Sequence, residues 1–262
     1  MELPAELERY IFEWAARVHS GTRAALIQVS KYAGPWIEPI LYEIVIVGVR
    51  SRGCQPSLDA LQRYGHHVRH LLLGTDPKAL ISQYLVACPR TINLGIWTSQ
   101  KLDEEAIDAL KRLPLERLCI HLEAIFNYQA LLLPQAEKIL SAFPKLTHLD
   151  IASDSAPQPI IPCLKLLPKL SHLSLPRDFR PAPETVLKYW REIPTLEYFT
   201  LVAEGNGSED YSEDFRRSED DLRVVRCLVR NFLDDWKRAA KGESDMWAYV
   251  KVVTERRSGL ML

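Results

Sequence analysis

Along this chain a leucine-like residue is followed three and then five positions later by others of its kind, and this six-residue figure keeps returning. It is clearest at Val68, Leu71 and Leu73; Leu115, Leu118 and Ile120; Leu146, Leu149 and Ile151; Leu170, Leu173 and Leu175; and Leu196, Phe199 and Leu201. Weaker copies stand at Leu41, Ile44 and Ile46; Thr91, Leu94 and Ile96; and Leu222, Val225 and Cys227. The eight starts, 41, 68, 91, 115, 146, 170, 196 and 222, lie 23 to 31 residues apart. Alternating apolar positions predict a strand with one buried face. A proline precedes five of the copies by one or two residues: Pro89, Pro114, Pro144, Pro168 and Pro194. Proline has no N–H for a sheet ladder and stops a helix, so each marks a switch from helix to strand. Between the figures run stretches with one apolar helical face: Leu80, Ile81, Tyr84 and Leu85; Ala106, Ile107, Leu110 and Leu113; Ala136, Ile139, Leu140 and Phe143; Val186, Leu187, Trp190 and Ile193. Strand and helix alternating in one direction predict an α/β chain with a parallel sheet, stacked turn on turn into a curved solenoid.

A repeat of this period and figure resembles the leucine-rich repeat, whose usual length is about 20 to 29 residues. A stack of such turns needs covers at its ends. Residues 3 to 42 read as short helices without strands. At the other end, residues 229 to 240 carry Phe232, Leu233 and Trp236, and residues 245 to 256 carry Trp247, Tyr249, Val250 and Val253, which predicts two helices capping the last strand. The expected organisation is a helical N-terminal region over 1–42, irregular leucine-rich repeats over 43–228 and a helical C-terminal cap over 229–262.

The N-terminal region resembles an F-box. The residues that carry the likeness are Leu3, Pro4, Glu6, Leu7, Ile11, Phe12 and Glu13 at the start, Leu26, Ile27, Val29, Ser30 and Lys31 in the middle, and Trp36, Ile37, Pro39, Ile40 and Tyr42 at the close. Joined to irregular leucine-rich turns and a C-terminal helix holding Asp235 and Trp236, the arrangement is similar to the F-box-like proteins found in large numbers in mushroom-forming fungi. The resemblance implies a protein-binding module without catalysis. Its F-box-like helices would hold the adaptor subunit of a cullin-RING ubiquitin ligase through Leu3, Pro4, Leu7, Ile11 and Phe12, and its repeats would hold a target protein. The alternative is that these side chains only cap the first turn, leaving a solenoid scaffold unrelated to ubiquitin.

Of the 262 residues, 33 are basic and 34 acidic, a net charge of −1, so no global positive field exists to gather nucleic acid or anionic lipid. The longest apolar run, near Ile44 to Val49, falls well short of the roughly 20 residues that cross a bilayer. The N-terminus lacks the basic start and apolar stretch of a signal peptide, and the expected location is cytoplasmic or nuclear. Five scattered cysteines, Cys54, Cys88, Cys119, Cys163 and Cys227, predict buried thiols rather than disulfides or a zinc site.

Within each repeat the third and fifth positions should face solvent on the concave sheet. The candidate partner-binding residues there are His70, Asn93, Arg117, His148, Asp150, His172, Ser174 and Tyr198. Adjacent strands would bring His148 beside His172, with Asp150 and Ser174 close by. Two imidazoles, a carboxylate and a hydroxyl also suit a metal or hydrolytic site, against the simpler reading of a polar sheet face. No glycine-rich phosphate loop, nucleophile elbow or H-E-x-x-H is present, so neither catalytic residue, metal nor cofactor is expected. His66, His67 and His70 form a second, poorly convergent cluster. Residues 204 to 221 hold eight acidic side chains against Arg216 and Arg217, which predicts a solvated loop, and Ser208, Ser212 and Ser218 there match the surroundings favoured by acid-directed kinases.

Overall fold

The computed structural model describes residues 3–49, 55–74, 81–98, 100–125, 133–152, 161–176, 188, 190–205, 209–213 and 224–259. The protein is mixed α/β, and its described strands are mostly parallel. It divides into two compact units, Met1–Leu94 with Glu104–Pro114, and Gly95–Asp103 with Leu115–Leu262.

The first unit opens with three helices, α1 (Ala5–Val18), α2 (Arg23–Val29) and α3 (Ala33–Leu41). Ala16, Ile37 and Ile40 form their buried centre, against which Phe12, Leu26, Ile27 and Trp36 pack. Strand β1 (Ile44–Val47) follows, then α4 (Leu58–Tyr64), β2 (His70–Leu73), α5 (Ile81–Ala87), the start of β3 (Asn93–Ile96) and α6 (Glu104–Lys111). Strands β1 and β2 pair in parallel, Ile44 with His70 through Val47 with Leu73. Ser57 caps α4 by accepting from Ala60 N at 3.2 Å, and the predicted stripes on α5 and α6 bury Ile81, Leu85, Ala106 and Leu110.

The second unit carries β4 (Arg117–His121), α7 (Leu122–Ile125), α8 (Leu133–Leu140), β5 (His148–Ala152), α9 (Ile161–Leu164), β6 (His172–Pro176), β7 (Tyr198–Glu204), β8 (Tyr211–Glu213), β9 (Val224–Val229), α10 (Phe232–Lys241) and α11 (Met246–Arg257). From β4 to β7 the pairing is parallel and keeps the sequence figure in register: Leu118, Leu149, Leu173 and Phe199 align, and all four are buried. Asn231 and Asp245 cap α10 and α11, their side chains each accepting a backbone N–H at 3.0 Å. Gly242 ends α10 at φ 69°, a left-handed position that suits glycine. Of the apolar stripe expected over residues 186 to 193, Val186 and Leu187 lie outside the described residues, and Ile193 is buried.

Two features depart from the sequence reading. The figure at 222 to 227 places Val225 level with Phe199, whereas the structure pairs Val224 with Phe199 and Val225 with Thr200. A slip of one residue exchanges the faces of a strand. It turns Val225, Cys227 and Val229 onto the face of the third and fifth positions, where they join Met246, Trp247, Val250 and Val253 of α11 in a buried cluster. The second departure is in the acidic segment. Tyr211–Glu213 forms a strand antiparallel to β9 instead of a loop, and so satisfies that strand's outer hydrogen-bonding edge. Ser212 therefore sits in a strand, while Ser208 and Ser218 lie outside the described residues. No helix among the described residues is long and apolar enough to cross a membrane.

Candidate functional site

Strands β4 to β7 present their odd-numbered motif positions on one face in three columns. Arg117, His148, His172 and Tyr198 stand in register in the first, and Cys119, Asp150, Ser174 and Thr200 in the second. The third, toward the C-terminal ends, contains Ala152, level with His121, and Val202, level with Pro176. Six of the eight predicted concave-face residues are thus brought together. His70 and Asn93 belong to the first unit, on β2 and β3, with Asn93 buried.

This face is not open as the sequence pattern suggests. Ser174 is 1% exposed and Thr200 0%, and His148, His172 and Tyr198 are half-buried. The cover is the chain after β9. Asp245, buried at the N-terminus of α11, takes a 2.8 Å charge-assisted hydrogen bond from Arg117. Trp247 stands edge-on to both imidazoles, with ring centroids 5.7 Å from His148 and 5.1 Å from His172. No spacing in the sequence relates Arg117 to Asp245, 128 positions on. The apolar periodicity of α11 signals a cover without saying what it covers.

The imidazoles of His148 and His172 stack at 3.8 Å. Thr147 Oγ1 donates to Glu116 O at 3.0 Å and Ser171 Oγ donates to Thr147 O at 3.3 Å. Each hydroxyl is therefore left to accept Nδ1–H from the following histidine, at 2.8 Å in both cases. Burial, assisted by the Arg117 charge, pushes His148 down to about 2 and His172 down to about 4, so both rings are neutral at physiological pH. Asp150 is the reverse case. Burial pushes its carboxyl up to about 7, against the opposing pull of Arg117 and a hydrogen bond from Trp247. The imidazoles thus donate to hydroxyls and Asp150 accepts from an indole. With Ser174 covered, no serine–histidine–aspartate relay is formed. Among the described residues no group of three or more histidines, cysteines or acids is placed to hold a metal ion.

Over the second and third columns lies a cavity of about 610 Å³, contained in the second unit. Its floor includes Cys119, His121, Asp150 and Ser174, and its walls include Trp97 and, from α10, Phe232 and Trp236. Cys119 Sγ receives Trp97 Nε1–H at 3.3 Å, and burial keeps its thiol protonated far above the ordinary range. Cys88, Cys163 and Cys227 are buried free thiols, and Cys54 lies outside the described residues. Comparison with protein-family models and with curated proteins finds no match. The chemistry of the site is that of a mostly apolar, acid-bearing recess.

The F-box-like residues fall on two faces of α1 and on the segment that leads into it. Leu3 is 54% exposed, Leu7 51% and Ile11 49%, and Trp14 continues the same stripe at 55%. Pro4, at the N-cap, is exposed as well. Phe12 points the other way, half-buried, its ring 6.2 Å from that of Trp36. It belongs to the packing of the three helices, because a position five residues beyond Leu7 lies well round the helix from it. His66 and His67, with ring centroids 3.9 Å apart, line a smaller recess of the first unit with Arg17, Glu43, Arg69 and Arg90.

Proposed function

We propose that the protein is a protein-binding module, an F-box-like recognition subunit of a cullin-RING ubiquitin ligase, whose leucine-rich repeats form a solenoid that holds a target protein. The observation that carries this reading is the apolar stripe Leu7, Ile11 and Trp14 left about half exposed on α1, with Leu3 equally exposed just before the helix, while the opposite side of the same helix packs through Phe12 and Ala16. An amphipathic helix that uses one apolar side for its own fold and keeps another outward has the form of a helix that docks in a partner's groove. The adaptor subunit would lie on that stripe.

Exposure makes the test clean. Leu7→Asp combined with Ile11→Asp should abolish co-purification of the ligase adaptor while shifting folding stability by no more than about 0.5 kcal/mol each, as exposed positions do. Phe12→Asp should instead destabilise the three-helix packing by about 3 kcal/mol or more, since it buries a charge among Ala16, Ile37 and Ile40. Thermal denaturation separates the two effects. A wild-type protein that leaves the adaptor unbound rejects the proposal.

A further inference from the structure

We infer that the cavity of the second unit binds an organic cation, an amine or guanidinium carried on an apolar stem. This stands apart from the adaptor reading, which concerns α1 alone. At about 610 Å³ the recess is of the size that takes small ligands or a long side chain. Among the described residues that line it, three carry carboxyl groups, Asp150, Glu204 and Asp235, and none is a lysine or arginine. Arg117, whose charge acts on Asp150, is committed to Asp245 at 2.8 Å. An anionic guest would meet repulsion from this lining, and a neutral one would leave its charge uncompensated.

The three carboxyl groups are not equivalent. Asp235 is already engaged, its Oδ1 accepting from the Tyr211 hydroxyl and from Met246 N, each at 2.7 Å. Glu204 is exposed at the end of β7. Asp150 has one oxygen, Oδ1, that is buried and accepts no hydrogen bond. A buried acceptor without a donor is costly, and a charged N–H donor is the group that relieves it best. Around it the aromatic faces of Trp97, Phe232 and Trp236 provide the surface on which a cation and its stem both rest favourably. Trp236 Nε1 is likewise buried without an acceptor, so a hydroxyl or carbonyl oxygen on the stem would add a second point of attachment. Asp150 anchors the cation, and the indoles hold the stem.

The cation could reach the cavity as a free small amine or as a lysine or arginine side chain of a target segment. Calorimetric titration of the full chain distinguishes these, using tyramine and a capped tripeptide with a central arginine. Their uncharged counterparts, 4-ethylphenol and the same tripeptide with citrulline, serve as controls. The expected result is saturable binding of at least one cationic probe, at least about tenfold tighter than its neutral partner, with about a tenfold loss in Asp150→Asn. Binding of tyramine alone identifies a small-molecule guest, and binding of the arginine peptide alone identifies a side-chain pocket. Ala152→Trp, in the third column of the cavity floor, should abolish binding whether or not Asp150→Asn folds. Absence of saturable binding by either cationic probe, equal binding of the neutral partners, undiminished binding by a folded Asp150→Asn protein, or full binding by Ala152→Trp each overturns the inference.

Discussion

At the scale of single residues, Asp245 does two things at once. One carboxylate oxygen caps α11 by accepting from Ala248 N, and the other takes the hydrogen bond from Arg117, so a helix start and a strand are joined by one buried side chain. Arg117→Met removes the cation and leaves that carboxylate covered and uncompensated. The expected loss is about 2 kcal/mol, below the range for fully buried pairs because the arginine side chain is 25% exposed. Arg117 is also one of the causes that hold His148 and His172 below the ordinary imidazole range. The same variant should therefore raise the titration midpoints of both rings in an NMR pH series. Unchanged midpoints together with unchanged stability would mean that the ion pair is incidental.

At the scale of elements, much of the fold is legible because the leucine figure is an alternation, and alternation is what a half-buried strand imposes. Strands β2 to β7 and β9 begin on the third residue of their copies, and β1 on the fourth. The site was legible as far as register goes, since a repeated offset places Arg117, His148 and His172 side by side. It was not legible in exposure, because nothing local in β4 to β7 records that α11 lies over them. The slip at β9 escaped for a related reason: Leu222, Val225 and Cys227 satisfy the figure, yet contact with Met246 and Trp247 decides which face Val225 takes. Strand β8 escaped because its acidic surroundings indicate solvation, whereas an open strand edge selects pairing. Gly65, in the turn after α4, shows how closely neighbouring elements approach. A Cβ there would sit 2.1 Å from Ala87 O, a backbone atom of the α5 end. Gly65→Ala should therefore cost about 2 kcal/mol or more in chemical denaturation, although alanine is the better helix former and would stabilise an unobstructed position.

At the scale of the whole molecule, the covered polar face of the second unit sets how folding should respond to pH. His148 and His172 have folded pKa values below the ordinary 6.5, at about 2 and about 4, because burial and Arg117 oppose their charged forms. The unfolded chain thus binds more protons than the native one below pH 6.5, and stability falls as the pH drops from there toward 4 for His172 and further for His148. Asp150 acts in the opposite sense. Its folded value, raised from 3.8 to about 7, means that the native state holds the proton longer, so stability contributed at low pH is lost as the pH rises between those values. Burial raises the Asp235 carboxyl as well, so two carboxyls oppose the two imidazoles and make the acid limb shallower than the imidazoles alone would. The measurement is urea unfolding from pH 4 to 8. His148→Gln combined with His172→Gln should flatten the acid limb by up to about 1.4 kcal/mol per pH unit for each ring. Asp150→Asn should raise stability most at pH 7 and above, where the wild-type carboxyl carries its charge, and should leave the acid limb steeper than before. An Asp150→Asn protein that gains nothing at pH 8 relative to pH 5 would show that the charge of this carboxylate is already compensated in the fold beyond the Trp247 hydrogen bond, and with it would go the premise that a cation is needed beside it.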